Sequence, residues 1–126
     1  MYRARHLTEL FAPGFTETPH GRYLCNLVLD DSSALSGRAL SVLFRSFDGV
    51  DLANRVAAIK APVLIVNGAH DMSLDGGRKT ASLIAGARHA VIEEAGHLCI
   101  LEKPEEFDAL VVDFLRENGL YPAVAD

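Results

Sequence analysis

A chain of 126 residues falls within the usual size of a single domain. With 49% hydrophobic and 23% charged residues, it buries too much apolar surface to be a disordered chain, and ten glycines and five prolines exclude a collagen-like or low-complexity one. Twelve Lys+Arg against seventeen Asp+Glu leave a net charge of -5, and no dense basic cluster stands out. That balance argues against nucleic acid or an anionic membrane surface as partner.

The chain opens on Met1 to Glu9, where basic residues have no apolar stretch behind them, so it does not read as a secretory signal. No apolar run approaches the ~20 residues of a membrane helix. Cys25 and Cys99 sit in no metal or redox spacing and read as reduced, buried thiols. The expected compartment is the cytoplasm.

The first part, to about residue 60, reads as helical. Tyr2 to Phe11 puts Leu7, Leu10 and Phe11 on one helical face, and Ala12-Pro13-Gly14 breaks it. A second helix is expected from Pro19 to Leu29, with Asp30-Asp31-Ser32-Ser33 as a cap cluster. A third covers Ala34 to Phe47, with Ala39, Val42, Leu43 and Phe47 on one face. Asp48-Gly49 is a turn, and Asp51 to Ile59 is a short helix with Leu52, Val56 and Ile59 inward.

Beyond residue 60 the texture changes to strand, helix, strand, helix. Pro62 to Val66 is a short apolar run rich in β-branched residues, the pattern of a parallel strand covered on both faces, and Asn67-Gly68 closes it. Gly76 to Ala85 is a helix, with Asp75 as its N-cap and Gly86 as its C-terminal cap. Ala90-Val91-Ile92 is a second strand. Pro104-Glu105-Glu106 opens the last helix, with Pro in its first turn and acids at its positive end. Phe107, Leu110, Val111, Phe114 and Leu115 form its apolar stripe, and Gly119 ends it.

Strand–helix–strand implies parallel strands joined by a right-handed crossover, with the functional loops at the carboxyl ends. Those loops hold Gly68-Ala69-His70-Asp71 and Ala95-Gly96-His97. The carboxylate of Asp71 can fix the tautomer of His97 and stabilise the imidazolium formed when the ring takes a proton. Gly68 permits a sharp turn after its strand, and Gly96 leaves room beside His97 and supplies a positive φ.

The stretch Ile59 to Asp71 resembles the penultimate core strand and acid loop of the α/β-hydrolase fold. Ala95-Gly96-His97, followed by Glu102-Lys103-Pro104-Glu105-Glu106-Phe107, resembles its last strand, histidine loop and terminal helix. The details are similar to the branch of 3-oxoadipate enol-lactonases and small-ester hydrolases. The resemblance implies an α/β fold in two parts: a helical cap-like segment over 1–50 and the C-terminal part of the core over 51–126. It makes Asp71 the catalytic acid and His97 the general base for hydrolysis of a small ester or lactone by acyl transfer. It implies no metal and no organic cofactor.

The family's nucleophile sits in a Gly-x-Ser-x-Gly elbow before the acid and the histidine. None of the serines at 32, 33, 36, 41, 46, 73 and 82 has glycines two residues to either side. The oxyanion-hole loop belongs to the same upstream half. The expectation is a chain inactive alone, partnered by a complementary N-terminal half or by copies of itself, because a two-stranded sheet leaves backbone groups unpaired at its edge. Relatives with an Asp nucleophile keep carbon–halogen and epoxide cleavage open.

Simpler readings stand beside these. Ser73 reads as a loop residue and Cys99 as an apolar packing residue rather than a nucleophile. His70 joined to Asp71 and His97 as a metal site lacks a third-ligand spacing. His6, His20 and His89 read as surface residues. A rival function is a non-enzymatic binding or assembly module on a hydrolase-derived scaffold. A flavodoxin-like domain would need more strands and a phosphate-binding loop.

Overall fold

Val63 to Val66 has too many β-branched side chains for a comfortable helix and follows a proline that holds the chain extended. In a computed structural model, which describes residues 7–32 and 36–121, it leads into strand β1, Leu64–Gly68. Arg88–Ile92 forms β2, and the two pair in parallel, with Leu64 opposite Arg88 and Gly68 opposite Ile92. Both strands run two residues beyond or before the apolar core that marks them in the sequence. Asn67 and Gly68 belong to β1, and Arg88 and His89 to β2.

Helices cover both faces. Paired residues of parallel strands share a face, so Ile65, Asn67, His89 and Val91 look one way and Val66, Ala90 and Ile92 the other. The crossover helix Leu74–Leu83 packs on the Asn67 face, where Gly77 lies against the Asn67 side chain. The last helix, Pro104–Glu117, packs on the opposite face, where Phe107 and Leu110 join Val66 around buried Ile92, Ala95 and Cys99. The turn Ala85–Gly86 between the crossover helix and β2 needs a left-handed residue, and Gly86 supplies it with φ 76.

The N-terminal part is helical but not as one continuous surface. Two short 3-10 turns, Thr8–Leu10 and Phe15–Glu17, flank Pro13-Gly14, where Gly14 takes φ 79. Helix α1 spans Pro19–Ser32, with Pro in its first turn and the Thr18 hydroxyl accepting from the Gly21 N–H at 2.9 Å. It therefore runs through Asp30 to Ser32, which the sequence marks as a cap cluster, while Ser33 and the start of the first expected helix at Tyr2 lie outside the described residues. The cap of helix α2, Gly37–Arg45, is Ser36, whose Oγ accepts from Ala39 N at 3.0 Å. Helix α3 is Ala53–Val56, opened by Asp51 accepting from Ala53 N at 2.9 Å. In the order of the chain the crossover helix Leu74–Leu83 is α4, the short turn Cys99–Glu102 is α5 and Pro104–Glu117 is α6.

Leu7, Phe11 and Leu24 are buried together, with Leu98 and Leu101 packed against them, so the N-terminal segment is fastened to the start of α5. Residues 36–60 carry no such core. Val42, Phe44 and Phe47 are 64%, 68% and 62% exposed, and Leu52 and Ile59, expected inward, face outward. No helix among the described residues is long and apolar enough to cross a membrane.

Candidate active site

The two loops at the carboxyl ends of β1 and β2 are held together because the strand ladder continues past the strands. Ala69 N donates to Ile92 O and His70 N to Ala95 O, both at 2.9 Å. Gly68 is where the loops cross: a Cβ there would overlap the carbonyl oxygens of Ala95 and Gly96. Its role is close approach of two backbones rather than a special dihedral. Gly96 likewise has no positive φ. The space beside it is filled by the backbone of Leu10 to Ala12, not by His97. The left-handed residue in this loop is Glu94, at φ 53.

This crossing brings Asp71 and His97 into contact, with Asp71 Oδ1 and His97 Nδ1 2.9 Å apart. The Asp71 side chain is 3% exposed and the His97 ring 45%. Four donors converge on the one carboxylate. Asn67 Nδ2 donates to Oδ2 at 2.7 Å, and Ser73 donates to Oδ1 through both its N–H and its hydroxyl, at 2.8 Å each. His97 is the fourth. Burial pushes the Asp71 carboxyl up, but the bonds from Asn67, the Ser73 N–H, His97 and the Ser73 hydroxyl outweigh it and hold the group down at about 2.

An ionised carboxylate only accepts, so His97 must carry a proton on Nδ1. Neutral His97 then presents a lone pair at Nε2, which has no hydrogen-bond partner among the described residues. The arrangement can take up a proton at Nε2 and stabilise the resulting imidazolium against Asp71. Ser73 is not placed to be the group that gives up that proton. Its Oγ lies 3.4 Å from Nδ1, on the wrong side of the ring, and its hydroxyl hydrogen is directed at Asp71. Cys99 is buried and its thiol is pushed up by that burial, which leaves it a packing residue.

Three further groups hold the site in roles that the sequence alone does not assign to them. Glu102 is buried at the end of α5 and accepts from Gly96 N at 2.7 Å with one oxygen and from Ala12 N at 2.9 Å with the other. It ties the histidine loop to the N-terminal segment, assisted by Leu98 N donating to Leu10 O at 3.1 Å. Asn67 and His89 form the second and third. The His89 Nε2 lies 2.9 Å from Asn67 Oδ1, so His89 is half-buried on the sheet and not a surface residue. Asp75, expected as a cap, is instead in the first turn of α4, where the capping position belongs to Ser73 and its side chain is engaged with Asp71. His70 and His20 are exposed, and His6 lies outside the described residues.

Parallel strands, helices on both faces and an acid–imidazole pair on successive loops at the carboxyl rim define a piece of an α/β-hydrolase-type fold. Comparison with known proteins agrees. The chain is 39% identical over 70 residues to the 2-hydroxy-6-oxo-6-phenylhexa-2,4-dienoate hydrolase of Comamonas testosteroni, a match covering 54% of this chain and 24% of that protein. The crystal structure of the enol-lactonase from Burkholderia xenovorans superposes with TM-score 0.79 at 27% identity, over 91% of this chain and 44% of the other. The bromoperoxidase of Bacillus anthracis shares the fold at TM-score 0.80 and 19% identity, over 91% and 43%. No protein-family model matches. The chain is similar to members of the α/β-hydrolase family, and it spans about a quarter of the curated relative it matches and less than half of the solved structures it superposes on. Its relatives include hydrolases, and its fold is a partial α/β-hydrolase fold.

Proposed function

We propose that this chain carries the acid and base of a hydrolase that cleaves a small ester or lactone by acyl transfer, with Asp71 as the orienting acid and His97 as the general base. The observation that carries the reading is the Asp71–His97 hydrogen bond at 2.9 Å with Nε2 left open. In the complete reaction Nε2 takes the proton of a nucleophile as that nucleophile bonds to the acyl carbon. The imidazolium then returns the proton to the departing alkoxide. Water repeats the cycle on the acyl intermediate, losing its proton to Nε2 as the nucleophile is released.

The nucleophile elbow and the oxyanion donors come, in this reading, from a complementary N-terminal half of the fold. Three features support it: no serine of this chain stands in an elbow, the chain spans 44% of the enol-lactonase, and residues 36–60 hold apolar side chains outward. Residues 1–50 then act as a cap segment and 51–126 as core, in the cytoplasm, with a small-molecule substrate and neither nucleic acid nor membrane as partner. The test is p-nitrophenyl acetate turnover by the purified chain, alone and mixed with the N-terminal half of an enol-lactonase. The expected result is no turnover alone and His97-dependent turnover in the mixture. Robust turnover by the chain alone, abolished by His97→Ala, would overturn the division of labour.

The exposed apolar side chains Val42, Phe44 and Phe47 also favour a second reading, a non-enzymatic assembly module that uses the same scaffold. It predicts a stable self-associated species on sedimentation and no gain of turnover in the mixture.

A further inference from the structure

Asn67 is the polar side chain of β1, and the hydrolase reading makes no use of it. Its partner His89 enters β2 on the same sheet face, because His89 is in register with Ile65 and Asn67 lies two residues further along that strand. The direction of each hydrogen bond follows from chemistry. Asp71 accepts only, so the Asn67 atom 2.7 Å from it is the amide nitrogen, and the amide oxygen faces His89. That oxygen accepts only, so His89 donates from Nε2, at 2.9 Å. The helix on this face makes room for the arrangement, since a Cβ on Gly77 of α4 would overlap Asn67 Oδ1.

We infer that Asn67 and His89 are a positioning pair for Asp71: His89 anchors the Asn67 amide, and the amide pins Oδ2 so that Oδ1 is aimed at His97. The inference rests on the proposed role of Asp71 and His97 and adds two residues to it. The row reads His89 Nε2–H to Asn67 Oδ1, Asn67 Nδ2–H to Asp71 Oδ2, and His97 Nδ1–H to Asp71 Oδ1. Asp71 lies in a loop three residues beyond the end of β1, where a carboxylate held only by its own loop would rock with it. Asn67 and His89 stand on paired strands, so they transmit the rigidity of the sheet to the acid. The pair touches no reacting atom; it acts through Asp71.

The test uses the full chain and needs no turnover. Imidazole ¹⁵N shifts read the tautomers of His89 and His97, and the side-chain ¹³C shift of Asp71 reads its titration. In the unsubstituted chain His89 is expected with its proton on Nε2 and His97 with its proton on Nδ1. Asn67→Leu is expected to raise the proton affinity of Asp71 about tenfold, one pH unit, by removing a donor to the carboxylate. His89→Leu is expected to raise it about threefold and to lower the share of the His97 Nδ1–H tautomer, and His89→Gln, which keeps an N–H donor, is expected to restore both. Wild-type Asp71 titration and His97 tautomer in folded His89→Leu, or no recovery in His89→Gln, would overturn the inference. If the leucine variants fail to fold, His89 carrying its proton on Nδ1 in the unsubstituted chain overturns it just as directly. His97 protonated on Nε2 would instead sink the proposed base, so the two failures are distinguishable.

Discussion

The carboxyl rim of the sheet and the arm of residues 36–60 are built on opposite principles. At the rim three polar side chains, Asn67, Asp71 and Glu102, are buried, and each is met by donors or acceptors at 2.7 to 2.9 Å. No buried side-chain nitrogen or oxygen among the described residues lacks a partner. In the arm the pattern is apolar, yet Val42, Leu43, Phe44 and Phe47 are all more than half exposed. A hydrogen bond names its partner through distance and direction, so the buried side chains of the rim find theirs within the chain. A hydrophobic face states only that it is to be covered. The buried polar groups of the rim are therefore satisfied from within the chain, while the apolar side chains of the arm are left uncovered among the described residues.

The sharpest way to break that contrast is at Glu102. Glu102→Ala strands the buried Gly96 and Ala12 N–H groups and should lower stability by about 3 kcal/mol in urea unfolding. A loss below about 1 kcal/mol would mean that the rim is no better fastened than the arm.

Acid titration probes the same edge. The Asp71 carboxyl is held at about 2 when folded, below its ordinary value of 3.8, so its contribution is complete above the ordinary value and is lost as the pH falls through about 2. The amount is on the order of 2 kcal/mol. Stability measured from pH 5 downward should decline across that window, and Asp71→Asn should flatten the decline.

Gly77→Ala comes next. Alanine is the better helix former by ~1 kcal/mol, but its Cβ would meet Asn67 Oδ1, and a net loss of about 1 kcal/mol is expected in thermal unfolding. A gain would show that the amide gives way freely. The smallest effect belongs to the arm: Phe44→Ser should change stability by no more than about 0.5 kcal/mol while reducing association on sedimentation. A large loss of monomer stability would mean that Phe44 is already covered.

The strands and the loops that carry Asp71 and His97 were legible because their signals are local. A β-branched run marks β1, a proline and two acids mark the start of α6, and glycines flank both loops. Asn67 reads locally as a strand closer and His89 as a surface residue, since their meeting depends on a register between segments 22 residues apart. Glu102 contacts a backbone N–H 90 residues away, and no side-chain pattern records an amide partner. The one available signal was a charged residue closing the apolar run Leu98 to Leu101. Leu52 and Ile59 mislead for the opposite reason. Their spacing suggests a helix, but the helix covers only Ala53–Val56, and periodicity gives a face without the surface it meets.

The double grip of Glu102 also bears on cleavage. The chain between Ala12 and Gly96 forms a loop whose ends are clasped by one carboxylate, while Leu7, Phe11 and Leu24 interlock with Leu98 and Leu101 alongside. A protease entering at the exposed turn around Asp48-Gly49 would sever the backbone without opening that clasp. The nicked protein should travel as one particle under native conditions and come apart only in denaturant, so the N-terminal segment is welded to the rim by its fold rather than by its peptide bonds.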